Sequence, residues 1–391
     1  MKSFSLVLAS TLFIGLLMPS VPAQAQPGAT HYSVAVAKNF IQRRAPDPMA
    51  IHWVGQSNSF SWQAGYIMFA MEHLWRLTGD PVYFNYIRKY VDLQVDAQGN
   101  VPQFSPTALD NFLPGYAILF MYEQTKEERY KSAATQVRNG FNAYPRNRDG
   151  SFWHAHWAPH QLWVDGLFMG EMFLSRYGHV IGESDYAAGE VTRQMRLALE
   201  HCRKPNGLLL HGWDESKRAA WANPDTGLAP EVWSEGLGWY AVLMADVFDY
   251  LPKSDPNVPY LKEALRQLCR GLKEAQDPRT GMWCQVVDRP GRAGNWAETS
   301  GTGMYLYLIQ TAMDKGLIDA GEYGPVARQA YEGIVQKARM NEQGLIDLVD
   351  CSSIGIQRDY QAYISQPREV SPFAAFGSFI LGTSAFEKPK H

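Results

Sequence analysis

Apolar residues recur at helical spacing in twelve stretches of the chain, and the connections between those stretches alternate between short and long. The stretches lie near 31–44, 60–78, 81–97, 110–124, 127–143, 161–178, 184–202, 231–252, 257–275, 297–315, 321–340 and 370–384. No sustained period-two alternation competes with them. After every even-numbered stretch the chain turns within a few residues, as at Thr78-Gly79-Asp80-Pro81 and Leu251-Pro252-Lys253-Ser254. After every odd-numbered stretch it runs through long segments rich in Gly, Pro, Trp and His, among them 144–160, 203–230, 276–296 and 340–369. Short turns join antiparallel neighbours, and long loops in a compact domain usually carry function. Six helical hairpins with all long loops at one end predict an all-α fold, a closed (α/α)6 barrel with its site on the long-loop rim. No low-complexity linker interrupts the pattern, so residues 26–391 read as one domain.

The first 25 residues read differently. Lys2, an apolar run from Leu6 to Met18 and the closing Ala23-Gln24-Ala25 are the three parts of a cleavable signal peptide. The apolar run is shorter than the roughly 20 residues needed to span a bilayer, so the expectation is export across an inner membrane to the periplasm. The net charge of −3 becomes one unit more negative without Lys2, too mild a balance to point to nucleic acid or a membrane surface as partner. The aromatic content is high, with 12 Trp, 20 Tyr and 18 Phe, and such faces stack on sugars as well as fill cores. Cys202, Cys269, Cys284 and Cys351 lack metal-ligand spacing; an oxidising compartment permits a disulfide, but a chain this long buries enough core without one.

Two clusters carry the candidate chemistry. In the stretch from Pro159 to Met169 a long loop enters a helix, with Asp165 a few residues inside it. An acid at a helix start is favoured by the helix dipole alone, yet Trp163, Phe168 and Met169 surround this one with apolar bulk, which raises a carboxyl pKa and suits a general acid. The second cluster contains His211-Gly212-Trp213-Asp214, Trp221-Ala222-Asn223-Pro224 and Trp233-Ser234-Glu235-Gly236-Leu237-Gly238-Trp239-Tyr240. Four tryptophans beside several carboxylates read as a sugar-binding wall. His154-Ala155-His156 is half of a metal site without a third ligand at suitable spacing, and no metal or other cofactor is expected. Gly301 and Gly303 read as close-packing glycines rather than a phosphate loop.

These motifs, with Ser61-Trp62-Gln63-Ala64-Gly65, Leu109-Asp110-Asn111 and Asn295-Trp296-Ala297-Glu298-Thr299-Ser300-Gly301, resemble glycoside hydrolase family 105, related to family 88, in order over residues 35–384. The resemblance implies the same helical toroid and an unsaturated rhamnogalacturonyl or glucuronyl hydrolase acting on lyase-generated oligosaccharides. It makes Asp165 the catalytic acid/base and Asp110 the second carboxylate, and puts substrate contacts at His211, Trp233 and Trp239, with Trp62, His160 and Trp163 inside the matching motifs. It also implies the reaction: the acid protonates the 4,5 double bond of a terminal uronate, water adds at C5, and the hemiketal opens with loss of the glycosidic bond.

One position departs from the pattern. Where the family typically carries an arginine to hold the uronate carboxylate, this chain has Glu235. Arginine grips a carboxylate with a bidentate fork; ionised glutamate repels it, by about 4 kcal/mol for unit charges 4 Å apart at an effective dielectric near 20. Arg289, Arg292, Arg358, His160 and His211 are the candidate replacements. Alternatives are a conventional glycosidase with Asp165 and Glu235 as a carboxylate pair, a sugar epimerase, and a non-catalytic sugar-binding protein. The oligomeric state is not legible.

Overall fold

The computed structural model describes residues 31–44, 60–353 and 355–388. The signal segment expected over 1–25 lies outside the described residues. All twelve expected helices form: α1 (Tyr32–Arg44), α2 (Trp62–Thr78), α3 (Pro81–Gln94), α4 (Gly115–Thr125), α5 (Glu128–Asn139), α6 (Val164–Val180), α7 (Ser184–Cys202), α8 (Ser234–Asp246), α9 (Val258–Ala275), α10 (Thr299–Asp314) and α11 (Ala320–Val335), then a short α12 (Tyr360–Ile364) inside a long loop, and α13 (Phe373–Glu387). Three-residue strands β1 (Gln161–Trp163) and β2 (Gly212–Asp214) pair antiparallel, as do β3 (Ala338–Met340) and β4 (Ile346–Leu348). The stretch expected to be helical from 110 starts as a 3-10 turn over Leu109–Phe112, and the α-helix begins only after Pro114.

Helices α2, α4, α6, α8, α10 and α13 each pack on the next, and α13 returns to α2, closing an inner ring. Composition assigns them to that ring: every residue of α8 is buried, and a helix apolar all round belongs in an interior. The outer helices carry one apolar stripe. In α9 it is Val258, Leu261, Leu265, Leu268 and Leu272. The inner helices approach closely because of their glycines. A Cβ on Gly303 of α10 would stand 2.4 Å from the Ser378 carbonyl of α13, and one on Gly301 would stand 2.1 Å from the Ser234 hydroxyl of α8.

Helices α3, α5, α7 and α11 lie against α2, α4, α6 and α10, to which they are joined by the short turns. The sixth pair is α13 with α1, and no turn joins it. Glu387, the last residue of α13, instead accepts from the Tyr32 amide at 2.8 Å, the Ser33 amide at 3.2 Å and the Ser33 hydroxyl at 2.6 Å. A carboxylate thus caps the free amides at the start of α1 and ties the two ends of the fold together. The four cysteines are buried and unpaired.

Every long connection leads into the N-terminus of an inner helix: 95–114 into α4, 140–163 into α6, 203–233 into α8, 276–298 into α10 and 336–372 into α13. The starts of the inner helices therefore gather at one end of the ring, where they bring Trp62, Asp165, Glu235 and Glu298.

Candidate active site

At that end lies a cavity of about 460 Å³ lined by Trp62, Asp110, Asn111, His154, Trp157, Trp163, Asp165, Met169, Trp233, Glu235 and Trp239, with Phe60, Ser61, Thr107, Ala108 and Gly355. Asp165 is the second residue of α6, and its Oδ1 accepts from the Gly166 amide at 2.7 Å. The side chain keeps 14% of its exposure and lines this walled space. Burial holds its pKa well above the usual carboxylate range; the charge of Asp110 adds to the rise and backbone amides oppose it. Asp110 sits on the 3-10 turn, and burial pushes it up to about 7. Its side chain remains 24% exposed.

His154 lies between the two acids. Its Nδ1 stands 3.8 Å from Asp165 Oδ1 and its Nε2 3.7 Å from Asp110 Oδ1. Backbone pairing sets this up: Ala108 bridges Ala155, and the Leu109 amide donates to the His154 carbonyl at 2.9 Å. The imidazole stacks on Trp163 with centroids 4.2 Å apart and planes within 12°. Burial pushes its pKa down to about 3, so it is neutral at any ordinary pH. His211 approaches from the other side, with Nε2 3.7 Å from Asp165 Oδ2. It is delivered by the β1–β2 register, in which Trp163 faces Gly212 and the Val164 amide donates to the His211 carbonyl at 2.8 Å. Burial first, then His154, pushes His211 down to about 3 as well. Two glycines make the room. A Cβ on Gly166 would meet His154 Nδ1 at 2.8 Å, and one on Gly236 would meet His211 Nδ1 at 2.1 Å.

Glu235 is the second residue of α8 and is 1% exposed. Its Oε2 has no hydrogen-bond partner. Burial raises its pKa well above the usual range, and the carboxylates of Glu298, Glu369 and Asp165 raise it further, with only the Ser300 hydroxyl opposing. Neighbouring Glu298 caps α10, accepting from the Ser300 and Gly301 amides at 2.6 Å each, from the Ser234 hydroxyl at 3.0 Å and from the Ser352 amide at 3.0 Å. Those bonds lock the starts of α8 and α10 and the 336–372 segment to one another, which explains the Ala297-Glu298-Thr299-Ser300-Gly301 motif as scaffolding.

The expected aromatic wall is only half present. Trp62, Trp163, Trp233 and Trp239 line the cavity, while Trp213 stacks on His201 at 3.7 Å and Trp221 packs near Gly212, both outside it. Trp233 and Trp239 are 3% and 2% exposed, and Trp239 stacks against Phe168, so both belong more to the core than to a platform. His160 is not in the cavity: it lies in a separate cleft with Arg148 and Glu215, its Nδ1 3.5 Å from the latter. Arg358 is 77% exposed beside Asp359, also outside. Arg289 and Arg292 face Glu231, and Arg292 stacks on Tyr360 at 3.6 Å. None of the three arginines or His160 lines the cavity, and His211 is uncharged. Sequence reading missed His154, taken for half a metal site, and Trp157, 64% exposed at the mouth. His154 is buried whereas His156 is exposed, so the two do not converge. Asp-Gly at 165–166 and Glu-Gly at 235–236 were the available signals, because a buried acid followed by a residue without a side chain leaves space for an imidazole.

With the fold and the two carboxyls in place, comparison with known proteins decides the family: residues 32–388 match Glycosyl Hydrolase Family 88. The chain belongs to glycosyl hydrolase family 88. The chain is 35% identical over 185 residues to Protein Atu3128 of Agrobacterium fabrum, covering 46% of this chain and 78% of that one. It is 25% identical over 294 residues to the unsaturated rhamnogalacturonyl hydrolase YesR of Bacillus subtilis, covering 71% of this chain and 81% of that protein. A family 105 glycoside hydrolase from C. acetobutylicum superposes with a TM-score of 0.83 at 26% identity, over 92% of this chain and 99% of that one. The chain is thus a glycoside hydrolase with the (α/α)6 barrel of this family.

Burial of Asp165 also sets a pH dependence of stability. A carboxyl whose folded pKa lies above its unfolded value stabilises the fold fully below the unfolded value, near 3.9, and that contribution is lost as pH rises toward the folded value. Asp165→Asn removes the ionisation. The variant should unfold at a higher temperature than the parent at neutral pH, with the difference shrinking toward about pH 4. Thermal unfolding followed by circular dichroism checks this, and a gap that is constant with pH contradicts it.

Proposed function

We propose that this enzyme removes a terminal 4,5-unsaturated uronic acid from lyase-generated oligosaccharides. The observation that carries the reading is Asp165, a carboxyl whose pKa burial holds well above the usual carboxylate range, at the wall of a sugar-sized cavity between two neutral imidazoles. Cleavage of a saturated glycoside requires a second group that is a nucleophile or base in ionised form. Here the other carboxyls lining the cavity, Asp110 and Glu235, are pushed the same way as Asp165. Three acids that favour their neutral forms suit a reaction driven by proton donation.

The enol ether supplies the site for that proton. Asp165 gives its proton to C4, and the positive charge that develops at C5 is shared by the ring oxygen. Water adds at C5 and returns a proton to Asp165, leaving a hemiketal. The ring opens to a ketone, and the freed hydroxyl at C1 makes a hemiacetal that expels the aglycone alcohol. One water is consumed and the acid is regenerated, so a single group acts as acid and then base. Asp110, on the other side of His154 from Asp165, holds the water side of the site in this scheme, and Trp62 and Trp163 offer faces to the sugar.

The signal-like start of the chain supports export before action on extracellular or periplasmic oligosaccharides, and cleavage after Ala25 would leave a mature protein beginning at Gln26. An N-terminus retained at Met1 would argue against export.

Incubation with lyase-generated unsaturated oligosaccharides, followed through the loss of absorbance of the conjugated double bond, tests the reaction. Turnover is expected at acidic to neutral pH, with kcat/KM declining as pH rises through the Asp165 ionisation and no histidine ionisation between about pH 4 and pH 8. Asp165→Asn should lower kcat by about 10²- to 10⁴-fold while remaining folded. No absorbance loss with any such substrate contradicts the reading.

A further inference from the structure

Among the described residues, a substrate carboxylate entering this cavity meets no permanent cation: the lining includes no lysine or arginine. His154 and His211 are buried neutral rings. Yet a uronate must have its charge satisfied once water is displaced, because a buried unpaired anion is strongly disfavoured.

Glu235 is the polar group placed to answer that need. It lines the cavity, is 1% exposed, and its Oε2 is buried without a partner. An ionised glutamate there would repel the substrate, whereas a protonated one is a hydrogen-bond donor on the same short tether. We propose that Glu235 recognises the uronate carboxylate as a neutral carboxylic acid, donating an O–H···O⁻ hydrogen bond to it.

The surroundings favour the neutral form from every side. Glu298 and the Ser300 hydroxyl face Glu235 from α10, Glu369 and the Cys351 thiol from the 336–372 segment, Asp165 from α6, and the Tyr66 and Tyr305 phenols from α2 and α10. The groups that act on it most strongly are acids. A hydrogen bond from a carboxylic acid to a carboxylate is short and charge-assisted, so it replaces part of what arginine supplies. It also makes recognition depend on pH in a way that arginine does not: only the protonated enzyme binds, and the apparent Kd rises about tenfold for each pH unit above the Glu235 pKa.

The inference rests on the uronyl hydrolase reading, and the experiment keeps the two apart. Binding is measured by calorimetry on the full chain carrying Asp165→Asn, so that turnover and the Asp165 ionisation are both removed. The probes are an unsaturated uronyl disaccharide and its C6 methyl ester. The expected result is affinity for the free acid that weakens about tenfold per pH unit on the alkaline side, and affinity for the ester that does not change with pH. Adding Glu235→Gln, whose amide donates at every pH, should keep binding of the free acid and flatten its profile. A flat profile without that second substitution overturns the proposal. So does a slope that survives it, which would assign the titration to Asp110. Absence of turnover of any unsaturated uronide by the unsubstituted enzyme would instead overturn the functional reading.

Discussion

Exclusion of water from a small group of carboxyls is the constraint on which the site depends. Asp165, Asp110 and Glu235 are all acids that bulk water would ionise at neutral pH, and burial is the largest influence on each. The inner helices direct their N-termini at the cavity, and that arrangement by itself would favour ionised acids at the second positions of α6 and α8. Desolvation opposes the dipole and prevails. The Trp163 indole over His154, the Met169 side chain behind Asp165 and the Phe168–Trp239 stack below keep the space dry. The closed ring exists to hold those groups in place, and its glycines allow the inner helices close enough to leave only a sugar-sized opening.

The two imidazoles gain a role from the same constraint. At 3.7–3.8 Å from the carboxyl oxygens, His154 and His211 are too far for strong hydrogen bonds and too buried to be charged. They wall Asp165 on both sides without stabilising its anion. A protonated histidine at either place would pull the Asp165 pKa down and favour its anion. Neutral rings are therefore part of keeping the acid an acid, and Gly166 and Gly236 are the backbone positions that admit them.

Much of the fold was legible because helical periodicity and loop length are local signals. The alternation of connections implied the ring, and the Pro159–Met169 stretch implied an acid in apolar company at a helix start. What escaped were features created by long-range pairing. Three-residue strands show no alternation, so β1–β2 was invisible, and with it the delivery of His211 to Asp165. His154 read as half a metal site because nothing local says that Ala155 pairs with Ala108 and thereby brings the ring beside Asp110. Trp213 looked like part of a sugar wall but faces His201 on the far side of its strand. His160 and Arg358 fell outside the cavity for the same reason: loop conformation, not sequence proximity, decides which side chains share a space. Glu235 was legible as a departure, and only its burial and lack of a partner say what kind of departure it is.

The central claim is that Asp165 carries a proton at neutral pH in the free enzyme. Carboxyl carbon-13 NMR of protein labelled at aspartate side chains measures this directly, with the Asp165 resonance assigned by its loss in Asp165→Asn. The account predicts the chemical shift of a protonated acid at neutral pH, moving to that of a carboxylate only on the alkaline side. A resonance already at the carboxylate position, and titrating near about 3.9 like an aspartate in water, would contradict it.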